Sequence, residues 1–227
     1  MDKTDLESRL SNLNHELNGA VLVAVSKYSP VEDLALAYSL GQMDFGENRV
    51  ADLAAKASSF QFNQRQNVRW HFIGVLQTNK VKDLMKIPNL HAIHSVSSLK
   101  ILEEILKREK EFQGSELNLF FQMNTSLEEE KSGFETVAEL CAAVDVLFKK
   151  KKTDLKFKGL MTMGPIRTEN FEEDAKKSFE KLAAARDEIA QKFNLTDLKL
   201  SMGMSQDYKI ALAAGADYVR IGSLIFK

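Results

Sequence analysis

The sequence predicts an α/β fold: a single (β/α)8 TIM barrel over residues 1–227 with an extra N-terminal helix. Three observations point there. Strand-like and helix-like segments alternate along the whole chain, eight strand candidates can be counted, and no Gly/Ser/Pro-rich linker or low-complexity tract divides them. Alternation implies a parallel sheet with right-handed crossovers, and eight units favour closure into a barrel over an open doubly wound sheet. The 227 residues, 44% of them hydrophobic, suit one large domain or two small ones, and the unbroken alternation selects one.

The first element is an amphipathic helix over residues 2–18. Strand candidates follow at 21–27 (VLVAVSK), 43–48 (MDFGEN), 69–75 (RWHFIGV) and 90–96 (LHAIHSV). The other four are 117–123 (LNLFFQM), 155–163 (LKFKGLMTM), 198–204 (LKLSMGM) and 218–226 (YVRIGSLIF). Apolar runs of this length, bounded by turn signals, suit strands buried on both faces. Between them lie helical patterns such as VEDLALAYSLG, LKILEEILKREKEF and FEEDAKKSFEKLAAARDEIAQKF. The sequence stops after strand eight, so the outer helix expected there is missing. The N-terminal helix is placed to fill part of that ring.

Composition narrows the function. With 31 basic and 32 acidic side chains the net charge is −1, which gives no global electrostatic case for nucleic acid or an anionic membrane. RQNVRW gathers Arg65, Arg69 and Trp70, a cluster read as surface charge beside a core aromatic. KKKK at 149–152 reads as a solvated helix end, where cations face the negative pole of the dipole. Cys141, the sole cysteine, has no partner for an internal disulfide and sits in the helical FETVAELCAAVDVLF as a packed thiol. No 18-residue apolar span occurs, and the N-terminus is polar and acidic rather than signal-like. The expectation is a cytoplasmic protein.

In a barrel of this kind the active site lies at the C-terminal ends of the strands. Lys27 ends the first strand there and shares parity with Val21, Val23 and Val25. Two readings stand. Its stem packs while the ammonium reaches water, or a partly desolvated amine overhangs the mouth, ready to attack an aldehyde. The loops after strands seven and eight carry GMS, with Asp207 soon after, and IGS. Such loops commonly bind phosphate; Gly203 and Gly222 would admit a bulky anion, and Ser205 and Ser223 would donate hydrogen bonds. Arg220 shares parity with Gly222. Buried in the mouth, it needs an anion, a strong acceptor or a partner carboxylate across the barrel. Amine, phosphate cradle and guanidinium together describe pyridoxal 5′-phosphate, which offers an aldehyde, a phosphate and a ring nitrogen.

AVSKYSP, FGENRV, WHFIGVLQTNK, HSVSS, GLMTMGP and LSMGMSQDYKIALAAGADYVRIGS resemble, in order, the motifs of the pyridoxal phosphate homeostasis family, the YggS/PROSC-type proteins. The resemblance covers about residues 20–226. It implies the fold of the N-terminal barrel of alanine racemase, standing alone, with pyridoxal 5′-phosphate held as a lysine Schiff base. Carried over, Lys27 is the Schiff-base lysine, Ser205, Gly222 and Ser223 hold phosphate, Arg220 faces the pyridine nitrogen and Asn48 approaches the ring hydroxyl. Arg49 stands where the family pattern has a tyrosine, SKYSP replaces an SKTKP-like segment, and Lys227 replaces a glycine. The resemblance further implies cofactor homeostasis rather than catalysis, apo-enzymes of pyridoxal phosphate as recipients, and a monomer.

Two rivals are weighed. A pyridoxal phosphate-dependent amino-acid racemase needs acid–base groups on both faces of the cofactor. Lys27 serves one face. Tyr28 and Tyr38 lie near strand one, but nothing in the sequence sets either across the ring, and no residues remain for the second domain that supplies that group in alanine racemase. An arginine facing the ring nitrogen would also leave the ring a weak electron sink. A metal site is prompted by His91 and His94 in HAIHS, but strand alternation sends them to opposite faces, and His71 in WHFIG reads as a packed strand histidine.

Overall fold

The computed structural model describes residues 1–59, 61–62, 67–126, 132–150, 152–165 and 168–227; Arg65 and Lys151 lie outside them. Eight parallel strands close into a barrel in chain order. They are β1 (Val21–Val25), β2 (Asp44–Glu47), β3 (Arg69–Phe72), β4 (Leu90–Val96), β5 (Leu117–Gln122), β6 (Leu155–Met161), β7 (Lys199–Met204) and β8 (Tyr218–Ile221). Closure is made by β1 and β8, with Val21 opposite Tyr218 and Val23 opposite Arg220.

The outer ring is built from amphipathic helices. In α1 (Lys3–Glu16) the buried Leu6, Leu10 and Leu13 form one stripe, and the Asp2 carboxylate caps the first turn by accepting from Thr4 and Asp5 N–H. Around the barrel follow α2 (Val31–Ser39), α3 (Val50–Ala57), α4 (Thr78–Met85), α5 (Leu99–Arg108), α6 (Val137–Phe148), α7 (Phe171–Phe193) and α8 (Tyr208–Ala213). Ser98 and Thr136 cap α5 and α6 in the same way. Cys141 is buried on α6. Among the described residues no helix is long and apolar enough to cross a membrane.

The end of the chain departs from expectation. Strand eight stops at Ile221, and Ser223–Phe226 turn into a short helix, α9. Gly222 breaks the apolar run, and its carbonyl accepts from the N–H groups of Ile225 and Phe226. A short apolar segment does not itself distinguish strand from helix. The ring therefore has a last helix, and α1 packs between α9 and α2. Arg9 of α1 donates to the backbone carbonyls of Ile225 and Lys227.

The two faces of the sheet differ in chemistry. Outward side chains, including Leu22, Phe45, Trp70, Ile93, Leu119, Phe121, Leu160 and Val219, merge with the helices into one apolar cluster. Inside the barrel, among the described residues, Ala92, Phe120 and Met161 form a small apolar group, joined by Met163 and Tyr218. Barrel interiors are usually layered with Val, Ile and Leu. Here Asp44, His71, His94, Ser201 and Arg220 are buried instead.

Candidate functional site

The six predicted residues come from four neighbouring strands, β7, β8, β1 and β2, on one arc of the mouth. Lys27 follows β1 in a tight turn closed by Ser29 N–H donating to Ser26 O at 2.9 Å. It is exposed, so its access to a ligand comes from position and not from the partial desolvation its place in the sequence suggests. Tyr28, with φ of +70° and 81% exposure, projects beside it, and Lys27 Nζ lies 6.0 Å from the ring centroid. Asn48 follows β2 and is half-buried, as are Ser205 after β7 and Gly222 after β8, while Ser223 is exposed at the start of α9.

Arg220 is the deepest of the six, only 4% exposed. Nη1 donates to Ser201 Oγ at 2.7 Å and Nη2 to the Thr162 carbonyl at 2.8 Å. Among the described residues its hydrogen-bond partners are thus neutral, and no carboxylate is hydrogen-bonded to it. Burial lowers its pKa to about 10, against an opposing pull from the charge of Asp207. The guanidinium remains charged at neutral pH.

Backbone spacing shapes the mouth. A Cβ at Gly222 would come within 2.8 Å of the Val25 carbonyl, so glycine lets β8 and β1 approach where Lys27 and Ser223 emerge. Gly203 has a packing role in the fold. Its φ is +91° and a Cβ there would meet Ala211 Cβ at 2.6 Å, so it seats α8 against β7. Asp207 Oδ1 accepts from Met204 N–H at 2.6 Å and pins the turn that carries Ser205.

Sequence reasoning missed three supports. Gly74 is one: a Cβ there would fall 2.0 Å from the Asn48 carbonyl oxygen, so only glycine lets the end of β3 approach Asn48. The second is a buried ion pair behind the arc. Lys56 Nζ donates to Glu47 Oε1 at 2.5 Å and to the Ser26 carbonyl at 2.8 Å, and Ser26 Oγ donates to the same carboxylate at 2.6 Å. Ser26 precedes Lys27 and Glu47 precedes Asn48, so one lysine ties together the bases of two predicted binding residues. A glutamate inside the buried run DFGE was the available signal.

The third support fills the lumen. Arg69 holds Asp44 through both carboxylate oxygens, at 2.7 and 2.5 Å. His71 Nε2 lies 2.9 Å from Asp44 Oδ1, and His71 Nδ1 lies 2.9 Å from His94 Nε2. His94 Nδ1 lies 2.7 Å from Ser201 Oγ, the acceptor of Arg220. Burial pushes His94 well below the ordinary histidine range, and nearby His71 and Arg220 add to this. For Asp44 burial acts upward, but the hydrogen bonds from Arg69 and His71 outweigh it and hold the carboxyl well below the usual range.

His91 corrects the expectation from alternation. The pairing of β3 with β4 skips a residue, Trp70 facing Leu90 but His71 facing Ala92, so His91 occupies a bulge. It consequently lies against the same ring as His94, with centroids 5.3 and 5.1 Å from that of His71. Burial, with His71 next to it, lowers the His91 pKa from 6.5 to about 4. Among the described residues no group of three or more His, Cys, Asp or Glu side chains is arranged to hold a metal ion. A cleft of about 470 Å³ opens beside the arc, lined by Asn48, Arg49, Phe72, Val75 and Lys80.

Barrel and mouth define the class: the chain is a barrel of the alanine racemase N-terminal domain type, and the profile of that family, "Alanine racemase, N-terminal domain", matches residues 1–227. The chain belongs, within that class, to the pyridoxal phosphate homeostasis protein family. A Schizosaccharomyces pombe protein of that name is 38% identical over 221 residues, spanning 95% of this chain and 88% of its own. The Homo sapiens protein of that name is 37% identical over 209 residues, 90% of this chain and 75% of its own. PipY of Synechococcus elongatus PCC7942, solved without PLP, superposes with a TM-score of 0.87 at 30% identity, covering 98% of this chain and all of PipY. The same protein with PLP bound gives 0.83 at 29% identity, over the same share of each chain. Alanine racemase from Corynebacterium glutamicum shares the fold, with a TM-score of 0.75 at 14% identity over 99% of this chain and 61% of that one.

Proposed function

We propose that this chain binds pyridoxal 5′-phosphate in the barrel mouth and serves its homeostasis, holding the cofactor covalently through the Lys27 amine. Arg220 carries the reading: a buried guanidinium with neutral partners, on the strand beside the one that leads to Lys27. Such a cation suits an acceptor brought by a ligand, and a pyridine nitrogen is one. The names of the curated relatives and the PLP-bound PipY structure support it.

The residues present fit the group. Pyridoxal phosphate supplies an aldehyde that condenses with primary amines and a ring that draws electrons from what is attached to it. Lys27 offers the amine, Ser205 and Ser223 offer hydroxyl donors to the phosphate, and Gly222 lets β8 close against Val25 of β1 so that these groups stand together. Asn48 serves the ring hydroxyl. Arg220 donates to the ring nitrogen without surrendering its proton, which leaves the ring a weak sink and favours holding over turnover. Tyr28 extends into solvent beside Lys27, which argues against its serving as the opposing acid of a racemase. The protein works in the cytoplasm as a monomer and passes cofactor to apo-enzymes.

Borohydride reduction of the loaded protein followed by peptide mapping tests the linkage. The adduct is expected on Lys27, and an adduct on Lys80 or Lys209 instead would sink the assignment. Incubation with L-alanine in deuterated water is expected to leave the α-proton in place. Exchange at ordinary enzyme rates, about 1–10³ per second, would make the protein a racemase.

A further inference from the structure

The lumen holds an unbroken hydrogen-bonded row, Arg220–Ser201–His94–His71–Asp44–Arg69, running from the mouth toward the opposite end of the barrel. We propose that Ser201, His94 and His71 are positioning residues that fix Arg220 for the cofactor's ring nitrogen, relaying hydrogen bonds in one direction from Arg220 to Asp44. The proposal rests on the cofactor reading above and extends it to residues that touch no ligand.

Direction follows from the two ends. A guanidinium only donates and an ionised carboxylate only accepts. Ser201 Oγ accepts from Arg220, so its own single proton goes to His94 Nδ1. His94 then carries its proton on Nε2 and donates to His71 Nδ1; His71 in turn carries its proton on Nε2 and donates to Asp44 Oδ1. Each proton is used once and each ring is neutral. A second proton on His71 would reverse the row as far as Ser201, which would accept from both sides and have its own proton stranded. That arrangement would also add a cation to a lumen that holds Arg220 and Arg69.

The surroundings favour the neutral row. His71 is faced by Asp44, His94, His91 and Tyr218, the last with ring centroids 6.3 Å apart. His94 is faced by His71, Ser201 and Tyr218 and stacks on Phe120 at 4.4 Å. Among the described residues Asp44 is the carboxylate hydrogen-bonded to the row, with Arg69 engaging both of its oxygens, while Asp207 acts on Arg220 through its charge. Fixed in this way, Ser201 and the Thr162 carbonyl hold two arms of the guanidinium fork, and Arg220 loses little freedom on meeting a ligand.

Two measurements decide it. Imidazole nitrogen NMR on the full chain at pH 7 is expected to show His94 and His71 each protonated on Nε2 and bare on Nδ1. A proton on His94 Nδ1, or a doubly protonated His71, overturns the relay. Binding is then compared for pyridoxal phosphate and its analogue with CH in place of the ring nitrogen. Ser201→Ala is expected to weaken pyridoxal phosphate about tenfold, the scale of one charge-assisted hydrogen bond, and the analogue little. Equal weakening of both would make Ser201 merely structural and overturn the proposal. Wild-type protein that binds neither compound overturns the cofactor reading itself, while the NMR tautomers still decide the relay.

Discussion

The same eight strands present two unlike faces. Outward, Phe121 packs against Phe134 and Phe157, with ring centroids 6.0 and 4.8 Å away, inside a continuous apolar layer. Inward, His94, Ser201 and Arg220 are nearly as inaccessible but spend their polar atoms on one another. The outer face gains its stability from burying apolar area, without directional requirements. The inner face gains little from burial and depends on every hydrogen bond being made. Stability and site geometry are therefore separable, and each face fails in its own way.

Truncating the outer face is the largest test. Phe121→Ala is expected to cost about 3–5 kcal/mol in urea unfolding while folded protein keeps its cofactor affinity. A cost below about 1 kcal/mol would break the contrast, because an outer aromatic would then matter no more than an average substitution. Lys56→Met probes a charged pair behind the strands. It leaves Glu47, fully buried in its side chain, without its cation and is expected to cost about 3 kcal/mol. Replacing Glu47 by methionine as well should restore most of that. No recovery in the double variant would mean that the pair matters through geometry and not through charge.

Acid sharpens the comparison from the lumen side. The folded pKa values of His91 and His94 lie below the unfolded value, so the unfolded chain takes up protons first as pH falls. Their contribution is full above about pH 6.5 and is lost as pH drops toward the folded values, about 4 for His91. Each histidine that protonates only on unfolding removes about 1.4 kcal/mol per pH unit. Asp44, whose folded pKa is also depressed, adds a loss as pH falls below the ordinary carboxylate range. Urea midpoints measured from pH 7 to 4.5 should fall steadily. A flat profile would show that the lumen accepts protons without unfolding.

The smallest effect belongs to the mouth. Ser205→Ala with Ser223→Ala should lower pyridoxal phosphate affinity at least about tenfold, leaving stability and pyridoxal binding nearly unchanged. Equal losses for both ligands would assign the two serines to folding.

How much of this was legible in the sequence follows from range. Alternation is local, so the eight strands, and with them the strand ends that carry Lys27, Ser205, Arg220, Gly222 and Ser223, were readable from neighbouring residues. Asn48 was singled out only by the resemblance of FGENRV to a family motif. The bulge at His91 was not, because it is a property of two paired strands. Nor was the end of β8, where an apolar run fits strand and helix alike. The lumen row was out of reach for a stronger reason: His94 and Ser201 lie 107 residues apart, and no spacing rule connects them. Glu47 and Lys56, nine residues apart, were close enough to notice, and the carboxylate in an apolar strand was the clue.

The seam between β1 and β8 has a kinetic meaning. It joins Val21 to Tyr218, almost the full chain apart, so among the paired strands it closes the largest loop. Contacts of such long range form slowly and reward the chain only after the entropy of closure has been met. Lys27 and Ser223 stand just past that seam, one on each side. A nascent or refolding chain therefore does not complete the proposed binding arc until its first and last strands meet. The appearance of bound cofactor absorbance during refolding should then mark the moment of barrel closure, a clock for the final step that needs no added probe.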